Sequence, residues 1–70
     1  MVLKSVHSTH IAAVGHEGDK LQVKFKKGQT FEYSPVSKET YYELLEADSI
    51  GGYFHEHIKN NKEVNYVRID

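Results

Sequence analysis

Apolar and polar residues alternate in two neighbouring segments near the middle of the chain. Between Lys20 and Lys26 every second residue is apolar, and in the next segment Phe31 and Tyr33 alternate with polar neighbours. A period of two is typical of a β-strand with one buried face. The intervening Gly28 tolerates the backbone conformation of a tight turn. The pattern predicts a β-hairpin whose apolar residues, Phe31 and Tyr33 included, all lie on one side of a sheet.

Two further segments extend this predicted sheet. Thr9–His16 mixes apolar with polar residues and is followed by the turn residues Glu17–Asp19, which indicates a first strand. At the other end of the chain, Val64–Val67 alternates again and allows a fourth strand. We therefore expect a three-stranded antiparallel meander, with a C-terminal fourth strand left open.

A first helix follows the predicted hairpin. Pro35 ends the third strand because it has no N–H to donate to a sheet, and Ser37 is a good N-cap. From Lys38 to Ala47, tyrosines and leucines recur three and four residues apart, with glutamates between them. This spacing predicts an amphipathic helix over these residues.

A second helix is predicted after Asp48 and Ser49, either of which can cap it. Ile50, Phe54 and Ile58 follow one another at intervals of four, so on a helix they form one apolar stripe. Two such helices can cover the apolar face that a small sheet would otherwise expose. The predicted fold class is therefore α+β, a three-stranded antiparallel meander covered by two short helices.

Composition limits the class of protein. A chain of 70 residues forms a single domain, residues 1–70. Because the chain has no cysteine, disulfides and thiolate metal sites are excluded. It has neither a bilayer-spanning apolar run nor a secretory leader, so we expect a cytoplasmic protein with no membrane partner. The net charge of −1 argues against bulk electrostatic binding of duplex nucleic acid but permits a local basic patch.

Five short stretches carry a recognisable order of motifs. They are STHIAAVGH (8–16), LQVKFKKG (21–28), FEY (31–33), VSKETYYELLEA (36–47) and SIGGYFHEHIK (49–59). Together they resemble the KTSC domain, a short module found at the C-terminus of some lysyl-tRNA synthetases and as small free-standing proteins of bacteria and phages. His16 and Phe31 stand where that family usually has an aromatic residue and a tyrosine, and Lys59 stands for an arginine. The resemblance implies a small α+β fold but no known chemistry, and RNA binding is only a suggestion made for the family.

The histidines of the second predicted helix lack the spacing of a metal site. His55 and His57 are two residues apart, so they point about 200° apart around a helix axis. Zinc-binding pairs on helices are spaced by four residues. We expect a solvated or packing role for both, with His57 half-buried beside the apolar stripe. His7, His10 and His16 could join them only through the tertiary fold, and we predict no metal site.

The start of the second helix is a candidate anion site. Ser49 can cap the helix, Gly51 and Gly52 leave the first-turn N–H groups uncovered, and the helix dipole favours a negative charge there. The alternative is that Gly51 permits close packing, or a tight corner, between the two helices. Two glycines in a first turn cost roughly 1 kcal/mol each relative to alanine, which indicates a purpose without deciding between these two.

Lysine side chains define a second candidate surface. Lys20, Lys24 and Lys26 share the outward face of the predicted second strand, whereas the first helix is acidic. Such a face is commonly just solvated. RNA binding would also need exposed aromatic residues for base stacking. Because Phe31 and Tyr33 are expected to point inward, the pattern predicts no stacking platform beside these lysines.

No catalytic constellation accompanies these features, so an enzyme is the least expected class. The leading hypothesis is a non-enzymatic binding module for RNA or another phosphate-bearing ligand, with no cofactor. Its proposed ligand residues are Lys24, Lys26, Ser49, Gly51 and Lys59. The alternative is a phage or prophage accessory protein that acts through a protein partner, or a homo-oligomer that sequesters a small nucleotide between subunits.

Overall fold

The computed structural model describes residues 1–70 and contains one antiparallel sheet with helices on one face. The strand order is β1-β2-β3-β4-β5, so each strand pairs with its neighbours in sequence. In chain order the elements are β1 (Lys4–Ser5), β2 (Ile11–Glu17), β3 (Lys20–Phe25), β4 (Thr30–Ser34), α1 (Lys38–Glu46), α2 (Ile50–Phe54), a π-helical continuation of α2 (His55–Lys59), and β5 (Asn65–Arg68). The fold is α+β, as predicted, and its sheet is a five-stranded meander.

The sheet contains two strands beyond the predicted meander. β5 is the C-terminal strand that the alternation in Val64–Val67 left open, and it pairs with β4. The sequence pattern does not predict β1, because its two residues are both exposed and show no apolar period. The first predicted strand corresponds to β2, which begins at Ile11 rather than at Thr9.

The register of β3 and β4 confirms the predicted hairpin. Leu21 lies opposite Tyr33, and Val23 lies opposite Phe31. Directly opposite residues of an antiparallel pair project from the same face. Leu21, Val23 and Tyr33 are buried on that face, and Phe25 packs edge-on against Phe31. The two-residue period therefore directs the apolar side chains of both strands toward the core.

The helices cover this face through the predicted stripe. Ile50, Phe54 and Ile58 are all buried in the hydrophobic core. The Phe54 ring meets Tyr33 edge-on, with the ring centroids 5.1 Å apart. On α1, Leu44 is fully buried and belongs to the same core. Neither helix combines the length and the apolar character needed to cross a bilayer.

Both helices begin at serine caps. The Ser37 Oγ accepts a hydrogen bond from the Thr40 N–H (3.1 Å), and the Ser49 Oγ accepts one from the Gly52 N–H (3.0 Å). Such caps satisfy first-turn N–H groups that have no partner within the helix. The cap fixes the start of α1 where it was expected, and α1 ends one residue before the predicted boundary.

The N-terminal segment packs over β2 at Gly15. A Cβ on Gly15 would lie 2.7 Å from the carbonyl oxygen of Val2 and 2.9 Å from the Cδ2 of Leu3. Side-chain carbon atoms do not approach other atoms this closely, so only glycine permits the contact. Gly15 lies opposite Gln22, on the face of the sheet away from the helices. The residues before β1 are therefore anchored on this open face.

Candidate functional site

A cleft of about 550 Å³ opens between the loop that joins β1 to β2 and the beginning of α2. One wall is formed by His7–His10 and the other by Asp48–Gly52, and His55 and Lys59 also line it. The apolar lining residues, which belong to the core or pack against it, are Ile11, Phe25, Ile50 and Phe54. The cleft therefore combines an apolar base with a polar rim.

Ser8 determines the shape of the β1–β2 loop. Its Oγ accepts hydrogen bonds from the N–H groups of His10 (3.4 Å) and Ile11 (3.3 Å). A serine hydroxyl that accepts from the backbone two and three residues further on closes a tight turn. This turn places the exposed side chains of His7 and His10 at the cleft.

Ser49 and two glycines form the opposite wall. Besides the hydrogen bond from Gly52 to its side chain, Ser49 accepts the Tyr53 N–H at its backbone carbonyl (2.9 Å). The first N–H groups of an α-helix have no carbonyl partner within that helix. Ser49 thus satisfies the N–H groups of Gly52 and Tyr53, and Gly51 adds no side chain to this wall.

Gly51 keeps the cleft open. The nearest atom to a Cβ built at Gly51 is the Ser8 Oγ on the opposite wall, at the ordinary contact distance of 3.5 Å. No atom of α1 lies within 4 Å of that position. A methyl group at Gly51 would therefore contact Ser8 across the cleft and would not contact α1.

Histidines, one lysine and one aspartate supply the ionisable groups at the cleft. His7, His10 and His55 are exposed there, and Lys59 adds an ammonium group. Asp48 is the single carboxylate among the lining residues. Lys59 and Asp48 carry opposite charges, and the imidazole rings add groups that can donate or accept hydrogen bonds at the cleft.

The proposed ligand residues divide into three groups in space. Those that line the cleft are Ser49, Gly51 and Lys59. Lys26 lies in an adjoining shallow depression, and its N–H donates a hydrogen bond to the His10 carbonyl (2.9 Å). Lys24 is exposed next to the buried Val23, so it projects from the open face of the sheet. The structure therefore brings three of the five proposed residues together at the cleft and places Lys26 beside them. Lys24 lies apart, on the other face of the sheet.

Sequence reasoning misses one wall of the cleft. Ser8 and His10 belong to the stretch STHIAAVGH, whereas the opposite wall and Lys59 belong to SIGGYFHEHIK. Both stretches carry the family resemblance, yet they are about forty residues apart in sequence. Their shared place in the family pattern is the only signal in the sequence that points to these loop residues.

The position of His57 corrects one prediction. His57 is exposed rather than half-buried, its ring centroid lies 4.3 Å from that of Tyr53, and its Nε2 lies 3.8 Å from the Glu56 carboxylate. His55 lines the cleft instead, so the two histidines occupy different surroundings. No group of three or more histidine, aspartate or glutamate side chains is placed to hold a metal ion.

Three tyrosine hydroxyls outside the cleft have raised pKa values. For Tyr41, burial and then the neighbouring Tyr42 raise the pKa. Burial raises the pKa of Tyr33 to about 12, and the nearby Tyr66 adds to the effect. Burial, then the hydrogen bond that its hydroxyl donates to Glu43 (2.7 Å) and the charge of that carboxylate, raise the pKa of Tyr53 to about 12. None of the three tyrosines lines the cleft. The Tyr53 hydroxyl instead joins α2 to α1.

Fold and cleft together define a small α+β module with one candidate ligand site between a loop and a helix. The chain belongs to the KTSC domain family, whose model matches residues 7–61. An uncharacterized protein of Stutzerimonas stutzeri (strain A1501) is 32% identical over 68 residues, which cover 94% of each chain. The crystal structure of the KTSC domain protein YPO2434 from Yersinia pestis has a TM-score of 0.84 at 22% identity and covers 99% of this chain and 97% of that chain. At this identity the structural match shows the fold alone.

Proposed function

We propose that this KTSC domain is a non-enzymatic binding module whose cleft holds a phosphate-bearing ligand, either part of an RNA strand or a free nucleotide. The observation that carries the proposal is the convergence of Lys59, three histidines and the glycine wall of α2 on one cleft. Hydrogen bonds from charged side chains to phosphate are strong. The volume of about 550 Å³ lies within the range of about 300–1,000 Å³ typical of small-molecule sites.

The apolar base of the cleft suits the remainder of a nucleotide. Phe25 and Phe54 both line the cleft, and their ring centroids lie 5.8 Å apart in an edge-on arrangement. Phe25 is only partly buried, so its ring can give a base or a sugar an apolar contact while the rim binds the phosphate, and the buried Phe54 packs against Phe25. This mixed lining favours a ligand that has a charged part and an apolar part.

The two serine hydroxyls on the cleft walls support binding rather than reaction. Ser8 and Ser49 both accept hydrogen bonds from the backbone, at 3.0–3.4 Å. A nucleophilic serine is instead hydrogen-bonded to a base such as histidine. The serines therefore stabilise the loop and the helix start, and so position the groups that contact the ligand.

Lys26 extends the site when the ligand is a strand. It lies beside the cleft, in a depression that it shares with Thr9 and His10. A phosphate next to the one held at Lys59 can therefore reach Lys26. Lys24 projects from the open face of the sheet and cannot contact the same phosphates. A single strand then binds across Lys59 and Lys26, whereas a mononucleotide uses the cleft alone.

Titration with a short single-stranded RNA and with a nucleoside monophosphate, followed by NMR chemical shifts, tests the proposal. We expect shift changes at His10, Gly51 and Lys59. We also expect the affinity for RNA to fall with salt, because phosphate contacts release counterions. Absence of salt-sensitive binding at tens of micromolar protein would overturn the proposal.

Two lysine variants locate the site. Lys59→Gln removes one charged hydrogen bond and should weaken binding roughly tenfold, or about 1.4 kcal/mol. Lys24→Gln is the matched control, because it removes the same charge from the open face, and it should leave the affinity nearly unchanged. Equal losses from both variants would show that binding is diffuse and not centred on the cleft.

A second candidate function is protein interaction, as a phage or prophage accessory protein. The observation that favours it is the exposure of Tyr66, Val67 and Ile69 at the C-terminal strand of a chain whose net charge is −1. Neighbouring exposed apolar residues are typical of interaction surfaces. One form of this role is a homo-oligomer that holds a nucleotide between subunits. Light scattering with and without nucleotide tests that form, and a monomer that captures no partner contradicts both.

A further inference from the structure

β5 forms a free edge of the sheet. It pairs with β4 on one side only, and all of its side chains are exposed. Tyr66 is 69% exposed, Val67 55% and Ile69, just beyond the strand, 46%. The opposite edge of the sheet is the two-residue β1. Because an edge strand presents unpaired N–H and C=O groups, β5 is the edge that can accept a further strand.

The register of β4 and β5 assigns the side chains of β5 to two faces. Arg68 lies opposite Phe31, so Arg68 and Tyr66 project on the face that carries the helices. Val67 lies opposite Glu32 and projects on the open face. The centroid of the Tyr66 ring lies 6.0 Å from that of Phe31, but most of the Tyr66 side chain remains uncovered. Both faces of β5 therefore expose an apolar side chain at the edge.

Antiparallel pairing about a two-fold axis joins two identical edges in a closed dimer. Near the middle of β5 the axis can pass through Tyr66, Val67 or Arg68. An axis at Arg68 sets two guanidinium groups opposite each other, which is unfavourable. An axis at Tyr66 sets Arg68 opposite Val64 of the second copy. An axis at Val67 instead sets the two Val67 side chains together and Tyr66 opposite Arg68 of the second copy.

We propose that β5 pairs antiparallel with β5 of a second copy of this chain, about a two-fold axis at Val67. On the helical face, the guanidinium of Arg68 then lies beside the Tyr66 ring of the second copy, which gives two symmetric cation–π contacts. On the open face the two Val67 side chains meet, flanked by pairs of Asn65 with Ile69. The pairing covers the exposed apolar side chains of this edge and completes its backbone hydrogen bonds.

The size of the chain favours such a dimer. A 70-residue domain buries a smaller fraction of its surface than a larger one, and association is a common way to stabilise small folds. The pairing joins two five-stranded sheets and removes the longer free edge from each. None of its residues lines the cleft, so this inference does not depend on the proposed ligand site.

A single introduced cysteine tests the register, because the chain has no cysteine of its own. Directly opposite residues of an antiparallel pair have Cα atoms about 4.5–5.5 Å apart, within the separation of about 4.4–6.8 Å that a disulfide spans. Val67→Cys should therefore form an intermolecular disulfide rapidly on mild oxidation. Arg68→Cys is the matched control and should cross-link roughly tenfold more slowly, since its two copies lie roughly 8 Å apart in this register.

Light scattering over a concentration series gives the second readout. We expect the mass of the unmodified chain to reach twice its 8.1 kDa. Val67→Lys should return a monomer, because two ammonium groups then meet at the axis, and its circular dichroism should be unchanged. A monomer at every concentration, a dimer that survives Val67→Lys, or equal cross-linking of Val67→Cys and Arg68→Cys would each overturn the proposal.

Discussion

The β3–β4 hairpin and the cleft depend on different kinds of contact. In the hairpin, Leu21, Val23 and Tyr33 are buried against the helices, and burying one such side chain contributes about 1.5–3 kcal/mol. At the cleft, Ser8 and Ser49 hold a loop and a helix start through one or two hydrogen bonds from the backbone to each hydroxyl. Each of these contributes about 1 kcal/mol. The hairpin thus supports the fold, whereas the cleft walls are shaped by weaker, local interactions.

Substitutions in the hairpin and on the cleft walls should therefore have different consequences. A change at Leu21, Val23 or Tyr33 alters the free energy of unfolding, and none of these three residues lines the cleft. A change on the cleft walls alters the ligand site at a small cost in stability, because the walls bury little apolar surface. Measuring unfolding free energy and ligand affinity on the same variants therefore distinguishes the two regions.

The largest expected effect is that of Leu21→Ala in β3. Leu21 is fully buried opposite Tyr33, so its truncation leaves a cavity and should cost about 2–5 kcal/mol of unfolding free energy. Urea denaturation followed by circular dichroism measures the loss. The exposed neighbour supplies the control, because Lys20→Ala should change stability by no more than about 0.5 kcal/mol. Similar losses from both would contradict the faces assigned to β3.

The next largest effect is expected for Gly15→Ala on the open face of the sheet. The new Cβ would lie 2.7 Å from the Val2 carbonyl oxygen. This is a backbone atom, so a change of side-chain rotamer cannot relieve the contact. We expect a loss of about 1–3 kcal/mol, as for other overpacked sites. Hydrogen exchange should also become faster at Lys4 and Ser5, because the segment that precedes β1 is displaced. Unchanged exchange there would show that the segment is not held by Gly15.

Gly51→Ala is the matched contrast, because it adds the same methyl group at the cleft. Its Cβ would meet only the Ser8 Oγ, at 3.5 Å. We expect stability to stay constant or to rise by up to about 1 kcal/mol, since alanine favours a helix more than glycine does. Ligand affinity should nevertheless fall several-fold, because the methyl group narrows the cleft. A loss of stability comparable to that of Gly15→Ala would instead support a packing role for Gly51.

The core could be predicted from the sequence because its signals are periodic. The alternation that ends at Phe31 and Tyr33 gives the hairpin and its buried face, and the intervals of four between Ile50, Phe54 and Ile58 give the second helix. The short β1 gives no such signal, because two exposed residues cannot define a period. Fold class and core were therefore predictable, whereas the full number of strands was not.

The prediction that His57 is half-buried was wrong because the helix type changes at this point of the chain. Its predicted half-burial assumes the angular spacing of an α-helix. Residues His55–Lys59 are π-helical, and the Asn60 N–H donates to the carbonyl of His55, five residues earlier (3.1 Å). A π-turn rotates each residue by a smaller angle than an α-turn does. Ile58 stays buried, but His57 turns outward to Tyr53.

The cleft was predictable on one wall only. Ser49 and Gly51 are recognisable because a cap and a pair of glycines mark a helix start. Ser8 and His10 occupy a loop whose course depends on side chain–backbone hydrogen bonds and not on any period. The sequence alone does not distinguish Lys24 from Lys59, because both are lysines at predicted exposed positions. The tertiary fold places them on different surfaces.

The smallest expected effect is a loss of stability at alkaline pH. Two contributors are Tyr33, which lies in the core, and Tyr53, whose hydroxyl joins α2 to α1. The folded-state pKa values of Tyr33 and Tyr53, both about 12, exceed the unfolded value of about 10, so the folded state favours the neutral phenol. Their contribution to stability is therefore complete below about pH 10 and is lost as the pH rises toward about 12. We expect the urea midpoint to fall between about pH 10 and about pH 12.

Tyr53→Phe should reduce the fall in urea midpoint. It deletes the hydroxyl whose neutral form donates a hydrogen bond to the Glu43 carboxylate. Tyr42→Phe, on the exposed side of α1, is the control and should keep all of the fall except the small part that Tyr42 adds by raising the pKa of Tyr41. The fall that remains in Tyr53→Phe then comes from Tyr33 and Tyr41, whose pKa values are both raised by burial. If Tyr53→Phe keeps the whole fall, the contact between α1 and α2 does not depend on a neutral Tyr53, and the alkaline loss originates at Tyr33 and Tyr41.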